Sequence, residues 1–284
     1  MRTTRLPFLI FLPALLLTLP LSGQNKKDKK KDDKPVLRVA GAVSFRTTLQ
    51  HPLTRKFARR NNLELRLYSG GSETGITAVS DRHADVAISS RPLKPEEREK
   101  GLVDTLLAYD AIAVVVHKSN PMESITLKEL EKIFRHKIKT WKKFGWQDAP
   151  IQVILPDTGS GLRTAFLDAV VKRDKIKIQP REELSTYGAI YAMMSDSLAL
   201  SICSMTQAHY RHLKVLRVEG VLPTPETIAD GSYPLRVPIS LVTRAEPGPL
   251  AERFIEWVMR GPAWKLIADA YVPAPEEEEI QVAE

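Results

Sequence analysis

Apolar residues recur along the chain in short stretches that predict strands, and most of these stretches are followed by residues of helical periodicity. The shorter predicted strands are residues 36–40, 63–68, 84–88 and 151–155. Residues 111–116 are apolar without interruption, as in a strand that is buried on both faces. Strands that alternate with helices favour a parallel sheet. The pattern therefore predicts an α/β fold.

A serine follows four of these predicted strands, and three of the four turns open a predicted helix. The four serines are Ser44, Ser72, Ser90 and Ser160. Ligands of open α/β sheets bind at the carboxyl ends of the strands. The first amides of a helix offer unpaired N–H groups and partial positive charge to an anion. A single turn of this kind is more simply an ordinary helix start with serine as the N-cap, but together the turns predict one anion site.

Charge and composition restrict the function further. The chain has 42 Lys and Arg against 34 Asp and Glu, a net charge of +8, which suits an anionic ligand. Cys203 is the single cysteine, so no internal disulfide can form. His209 and His212 have no cysteine or carboxylate cluster nearby, so we expect no metal site and no cofactor. The Gly-x-Ser-x-Gly spacing of a serine hydrolase is missing, so we predict no catalytic residue.

The two ends of the chain differ from the middle. Residues 1–23 join Arg2 and Arg5 to an apolar run broken by prolines, which predicts a secretory signal peptide; an uncleaved anchor is the alternative. Gln24 stands where a lipoprotein would carry its cysteine. Residues 24–36 predict a charged disordered linker, and residues 274–284 a solvated acidic tail. We therefore expect export to the periplasm or the medium without a lipid anchor.

A basic loop in the middle of the chain has two interpretations. Trp141, Phe144 and Trp146 lie among lysines, a composition that could stack on single-stranded nucleic acid. Aromatic side chains are more often buried as core anchors, which favours the second interpretation and no nucleic-acid partner. Just before this loop, Thr126 and Glu129 have the spacing of a capping box at the start of a helix.

Taken together, these segments resemble the PstS-type phosphate-binding proteins of ABC importers. The matching segments are residues 41–45, 69–76, 84–92, 109–121, 125–141, 157–166 and 220–243. The resemblance implies a type II periplasmic-binding-protein fold, with two α/β lobes joined by two crossing strands and a ligand in the cleft between them. The implied first lobe comprises residues 37–110 and 233–273, and the second lobe comprises residues 111–232.

The resemblance also implies which residues hold the ligand. The positions are the side chains of Ser44, Ser72, Ser90 and Ser160 and the backbone amides of Phe45, Gly161 and Leu162. Ser90 stands where some family members carry an aspartate that accepts the phosphate proton. A serine hydroxyl can accept or donate a hydrogen bond, so it is a weaker substitute for that aspartate.

Two further departures from the family concern the second lobe. Pro156 replaces an arginine that the family often has, and Leu162 replaces a threonine. A lost charge-assisted hydrogen bond costs roughly 1.5–3 kcal/mol. Arg46, Arg91 and Arg163 are the candidates to restore the charge.

The sequence thus predicts an exported, monomeric solute-binding protein that captures inorganic phosphate or a similar oxyanion for a membrane ABC permease, with no enzymatic activity. Two alternatives stay open at this point. One is a secreted phosphoester hydrolase. The other is a degenerate member of the binding fold with a signalling or interaction role.

Overall fold

The computed structural model describes residues 34–41, 50–171 and 175–274. The predicted signal peptide, most of the linker and residues 275–284 of the acidic tail lie outside these ranges. Within the described ranges, no helix combines the length and the apolar character needed to span a membrane.

Short strands and helices alternate through most of the described chain. The strands are β1 Val36–Gly41, β2 Glu64–Ser69, β3 Val86–Ser89, β4 Leu102–His117, β5 Ser124–Ile125, β6 Gln152–Pro156, β7 Arg181–Glu183, β8 Ala199–Ser204, β9 Leu213–Val215, β10 Arg217–Val218, β11 Arg236–Arg244 and β12 Val272–Pro273. The helices are α1 Pro52–Arg60, α2 Gly71–Ser80, α3 Pro95–Glu99, α4 Leu127–Phe134, α5 Gly161–Val170, α6 Thr186–Met194, α7 Pro225–Ala229, α8 Pro249–Arg260 and α9 Ala263–Ala270. Every strand predicted from the apolar pattern overlaps one of these strands.

The main sheet has the strand order β2-β1-β3-β11-β4-β8-β6-β7. At one end β1 pairs in parallel with β2 and β3, and at the other end β6 pairs in parallel with β7 and β8. The predicted parallel arrangement is therefore present at both ends. The centre differs, because β11 is antiparallel to β3 and β4, and β4 is antiparallel to β8. The strands β4 and β11 run in opposite directions because one carries the chain out of the first half and the other brings it back.

Strand β4 joins the two halves of the molecule. Its 16 residues pair with β11 from Leu102 to Ala111 and with β8 from Ile112 to Val116. Along β11 the pairing register shifts between Ile239 and Ser240, so the crossing pair carries an irregularity near its middle. The two halves are thus connected by a pair of long hydrogen-bonded strands.

Each half has an apolar core of its own. In the first half, helices α1 and α8 cover one face of the sheet, and the core includes Leu37, Phe57, Leu107, Ile239 and Phe254. In the second half, helices α4 and α5 pack together, and the core includes Ile112, Phe134, Trp141, Phe166 and Tyr233. The cores separate close to the point where β4 changes its partner, which is the arrangement of a two-lobed fold.

The aromatic loop belongs to the second core. Trp141 is completely buried, and its indole N–H donates to the Leu198 carbonyl oxygen at 2.9 Å. Phe144 and Trp146 are partly buried against the same core. The aromatic side chains therefore pack on the core of the second half, as predicted.

The predicted capping box is present at the start of α4. The Thr126 hydroxyl oxygen accepts the Glu129 N–H at 3.1 Å, and the Glu129 carboxylate accepts the Thr126 N–H at 2.9 Å. Each residue satisfies a backbone donor of the other, which fixes where the helix begins.

Candidate functional site

Two strand-to-helix turns, one from each half, touch each other at the carboxyl ends of their strands. The first runs from β2 to α2 and the second from β6 to α5. A Cβ atom on Gly71 would overlap the Gly159 carbonyl oxygen, and a Cβ atom on Gly161 would overlap the Ser72 hydroxyl. Gly71 also has a φ of +78°, which favours glycine. The absence of side chains at these two glycines therefore allows the helix N-termini of the two halves to meet.

A cleft of about 420 Å³ opens beside this contact, within the range of about 300–1,000 Å³ typical of small-molecule sites. Its lining includes Ser69, Gly70, Gly71, Ser90, Asp157, Ser160, Gly161, Leu162, Leu184, Ser185, Thr186, Tyr187, Ser204 and Gln207. Among these described lining residues, Asp157 alone carries a charge. The cleft therefore offers mainly hydroxyl groups and backbone amides to a ligand.

Three helices begin at this cleft. They are α2 at Gly71, α5 at Gly161 and α6 at Thr186. The first amides of each helix have no intrahelical partner, and the helix dipole places partial positive charge there. The capping residue of α6 is Ser185, whose hydroxyl oxygen accepts the Gly188 N–H at 3.1 Å. Three N-termini around one cleft stabilise negative charge without a cationic side chain.

Ser160 is both a helix cap and a residue of the cleft. It is the N-cap of α5, where its hydroxyl oxygen accepts the Arg163 N–H at 3.3 Å, and it also lines the cleft. An N-cap hydroxyl uses a lone pair for the helix and keeps its own hydrogen for another acceptor. The turn is shaped by Asp157, whose carboxylate accepts the Gly159 N–H at 3.1 Å. Ser160 can therefore cap the helix and donate to a ligand at the same time.

Ser72 and Ser90 are brought together, but only Ser90 lines the cleft. Ser72 is completely buried, and its hydroxyl oxygen accepts the Ser90 N–H at 2.9 Å. The two hydroxyl oxygens lie 3.2 Å apart, within hydrogen-bond distance. Ser72 thus lies behind Ser90 and holds the backbone that presents Ser90 to the cleft.

The guanidinium group of Arg91 is bound to carboxylates rather than to the cleft. It is 3% exposed and donates to Glu97 at 2.7 and 2.8 Å and to Glu73 at 2.7 Å. Burial works to raise the pKa of Glu97, but the hydrogen bonds and charge of Arg91, together with the Lys94 N–H and its charge, hold that pKa below its ordinary value. Arg91 contributes to the site by fixing the strand end that carries Ser90.

Arg163 also turns away from the cleft. Its guanidinium group donates to the Pro156 carbonyl oxygen at 2.9 Å and forms an ion pair with Glu182 at 2.8 Å. Ser44, Phe45 and Arg46 lie outside the described residues, so their predicted roles stay predictions.

Several polar groups of the cleft escaped the sequence-based prediction. Ser185 and Thr186 start α6, and Ser204 and Gln207 lie at and after the end of β8. Ser204 repeats the pattern of a serine at a strand end, so that signal was present in the sequence. The burial of Gln207 has no local sequence signal.

A buried carboxylate lies directly behind Ser204. Asp110, on the crossing strand β4, accepts hydrogen bonds from the Ser204 hydroxyl and from the N–H groups of Ala111 and Met205. Burial raises the pKa of Asp110 to about 6, although these three hydrogen bonds lower it. The carboxylate anchors the turn after β8 to the strand that joins the two halves.

Comparison with known proteins agrees with this geometry. Residues 24–261 match the family model of the PBP superfamily domain. The chain belongs to the PBP superfamily. It is 26% identical over 227 residues to the phosphate-binding protein PstS of Borreliella burgdorferi, covering 76% of this chain and 81% of that protein. It is 25% identical over 291 residues to PstS of Bacillus subtilis, covering 96% of this chain and 95% of that protein.

Solved structures have the same fold. One is a phosphate ABC-transporter substrate-binding protein from Clostridium perfringens, solved with bound phosphate. It superposes with a TM-score of 0.78 at 25% identity, and the match covers 85% of this chain and 100% of that chain. An ABC-type phosphate transport receptor from Vibrio cholerae gives a TM-score of 0.72 at 24% identity over 84% of this chain and 100% of its own. The predicted two-lobed periplasmic-binding-protein fold and the PstS-like resemblance are confirmed.

Proposed function

We propose that this protein captures inorganic phosphate in the cleft between its two halves and delivers it to a membrane ABC permease after export from the cytoplasm. One observation carries the proposal: the N-termini of α2 and α5, from opposite halves, meet at glycines beside a cleft lined by hydroxyl groups. Such an arrangement holds an oxyanion by many neutral donors at once.

In this proposal the ligand lies against the second turn. Ser160 donates its hydroxyl, and the amides of Gly161 and Leu162 donate from the start of α5. Ser90 faces them from the first half, where it can donate or accept a hydrogen bond. The relatives named as phosphate-binding proteins support phosphate as the ligand.

Closure of the two lobes around the anion would come from bending of the crossing strands. We place the lobes at residues 37–110 with 233–273, and at residues 111–232. The separate cores of the two halves support this division, except that Tyr233, Leu235 and Val237, at the start of the return segment, pack in the core of the second half. The two connecting strands, β4 and β11, are positioned to act as a hinge between rigid bodies.

Export and delivery complete the proposal, in which the protein acts as a monomer. The apolar, proline-broken run of residues 1–23 supports export, and the mature chain would begin at or near Gln24. Transport partners follow from the relatives: the Clostridium perfringens protein is of the ABC-transporter substrate-binding type. In this role the protein binds and releases its ligand unchanged.

Calorimetric titration of the purified protein with phosphate, sulfate and arsenate tests the proposal. We expect one phosphate per chain and a smaller radius of gyration in solution scattering at saturation. Incubation with a chromogenic phosphate ester serves as the control for enzymatic activity, and we expect no turnover. Absence of phosphate binding, or ester turnover that Ser160→Ala abolishes, would contradict the proposal.

A further inference from the structure

Gln207 is a buried side chain whose polar atoms have no described partner. It is 2% exposed and lines the cleft at the end of the short 3-10 turn Met205–Gln207. Neither its amide nitrogen nor its amide oxygen finds a hydrogen-bond partner within the described part of the chain. Buried polar groups are rarely left in this state, since they lose their hydration and gain nothing in return. A bound ligand in the cleft would supply hydrogen-bond partners for this side-chain amide.

The turn that carries Gln207 is held firmly. The Met205 N–H donates to the Asp110 carboxylate at 3.2 Å, and the Thr206 N–H donates to the Ser204 hydroxyl oxygen at 3.2 Å. The Ala208 N–H closes the turn on the Met205 carbonyl oxygen at 3.1 Å. The backbone that carries Gln207 is therefore fixed beside the cleft.

The start of α6 lies on the same cleft. Thr186 and Tyr187 are its first residues, and both line the cleft together with Gln207. Their backbone N–H groups can only donate, whereas the Gln207 side chain can donate through Nε2 and accept through Oε1. A ligand that satisfies both amide atoms must offer an acceptor and a hydrogen-bond donor, which in an oxyanion is an O–H group.

We propose that Gln207 contacts the bound ligand and selects oxyanions that carry an O–H group beside an ionised oxygen. This inference rests on the proposed function. The side chain would donate from Nε2 to an ionised oxygen and accept the O–H proton at Oε1. Hydrogen phosphate and hydrogen arsenate offer both groups at neutral pH. Sulfate offers acceptors alone and leaves Oε1 unpaired.

The test replaces the amide with an apolar side chain of similar length. In Gln207→Met we expect the affinity for phosphate to fall about tenfold or more, as for a lost hydrogen bond to a charged ligand. The thermal midpoint without ligand should rise, because an unpaired buried amide has been removed. Sulfate affinity should change less than phosphate affinity. Gln152→Met is the matched control and should leave binding unchanged. Gln152 is exposed at the start of β6, whereas the end of β6 leads into the turn at the cleft.

The possible results separate the inference from the proposed function. Phosphate affinity within about twofold of wild type in Gln207→Met would overturn the contact. Equal losses for phosphate and sulfate would overturn the selection for an O–H group. If Gln207→Met does not fold, Gln207→Asn, which withdraws the amide by one methylene, must show the same preferential loss of phosphate. A wild-type protein that binds none of the three anions refutes the proposed function itself.

Discussion

The two helix starts that meet across the cleft look alike in sequence but use their serines differently. At α2 the order is Gly70, Gly71, Ser72, and the hydroxyl of Ser72 is buried against Ser90. At α5 the order is Gly159, Ser160, Gly161, and the hydroxyl of Ser160 lies on the cleft. Both helices use glycine for the contact, but Ser160 stands one residue before the first helical residue and Ser72 one residue after it.

This difference of position explains the difference of role. Ser160 stands just before the first residue of its helix, where a side chain reaches the free amides and the space in front of them. Ser72 is the second residue of its helix, and its buried hydroxyl group lies against Ser90 and against Gly161 of the other turn. The comparison teaches that a serine near a glycine-rich turn must be assigned by its place relative to the helix start.

The largest expected effect concerns the arginines behind the two helix starts. Arg91→Met should lower the free energy of unfolding by about 3–5 kcal/mol, because Glu97 would keep a buried charge without its partner. Phosphate affinity should change by less than about threefold, since Arg91 does not line the cleft. Urea unfolding and calorimetry measure the two quantities.

Arg163→Met, on α5 in the second half, is the matched control for Arg91→Met. Its partner Glu182 is 46% exposed and can be hydrated once the arginine is gone. We expect a loss of about 1–2 kcal/mol. A large loss of phosphate affinity in Arg91→Met, with stability unchanged, would contradict the assignment of Arg91 to the framework.

The second expected effect is pH dependent and concerns Asp110. Its pKa in the folded protein is about 6, above the ordinary value of 3.8, so its favourable contribution to stability is complete below pH 3.8 and lost as the pH rises through 6. Asparagine can accept the Ala111 N–H through its oxygen and donate to Ser204 through its nitrogen. Asp110→Asn should therefore gain stability relative to wild type between pH 4 and pH 8, by at most about 3 kcal/mol.

Urea unfolding at the two pH values measures this gain. A stability difference between Asp110→Asn and wild type that does not change with pH would show that the carboxylate is ionised equally in the folded and unfolded protein.

The third expected effect isolates the contact between the two turns. Gly71→Ala and Gly145→Ala both place a side chain at a positive φ, +78° and +77° respectively. Each should cost about 1–2 kcal/mol of stability. Only the Gly71 substitution also collides with Gly159, so it alone should weaken phosphate binding, by about tenfold or more. Equal affinities in the two variants would mean that the turns need not touch in the bound state.

The fourth expected effect concerns Ser72. Ser72→Ala removes the acceptor of the buried Ser90 N–H and should lower stability by about 1–3 kcal/mol. Phosphate affinity should fall by less than about threefold, because Ser72 acts through Ser90. A loss of affinity as large as that of Ser160→Ala would place Ser72 among the ligand contacts, as its position in the family motif implies.

The sequence was sufficient for the strands, the capping box and the glycine turns, since each depends on neighbouring residues. It could not reveal partners that the fold brings together from a distance. The inward direction of Ser72 depends on Ser90, and the ion pair of Arg91 depends on Glu73, each pair 18 residues apart. The anchoring of Ser204 by Asp110 spans 94 residues. The antiparallel centre of the sheet likewise depends on strands that cross between halves.

The affinity of Ser160→Ala for phosphate tests most directly whether the anion lies at the start of α5. We predict a loss of about ten- to a hundredfold, from the removal of one donor to a charged ligand worth roughly 1.5–3 kcal/mol. Thr126→Ala removes a comparable N-cap from α4, far from the cleft, and should leave the affinity unchanged. Wild-type affinity in folded Ser160→Ala would contradict the proposed site.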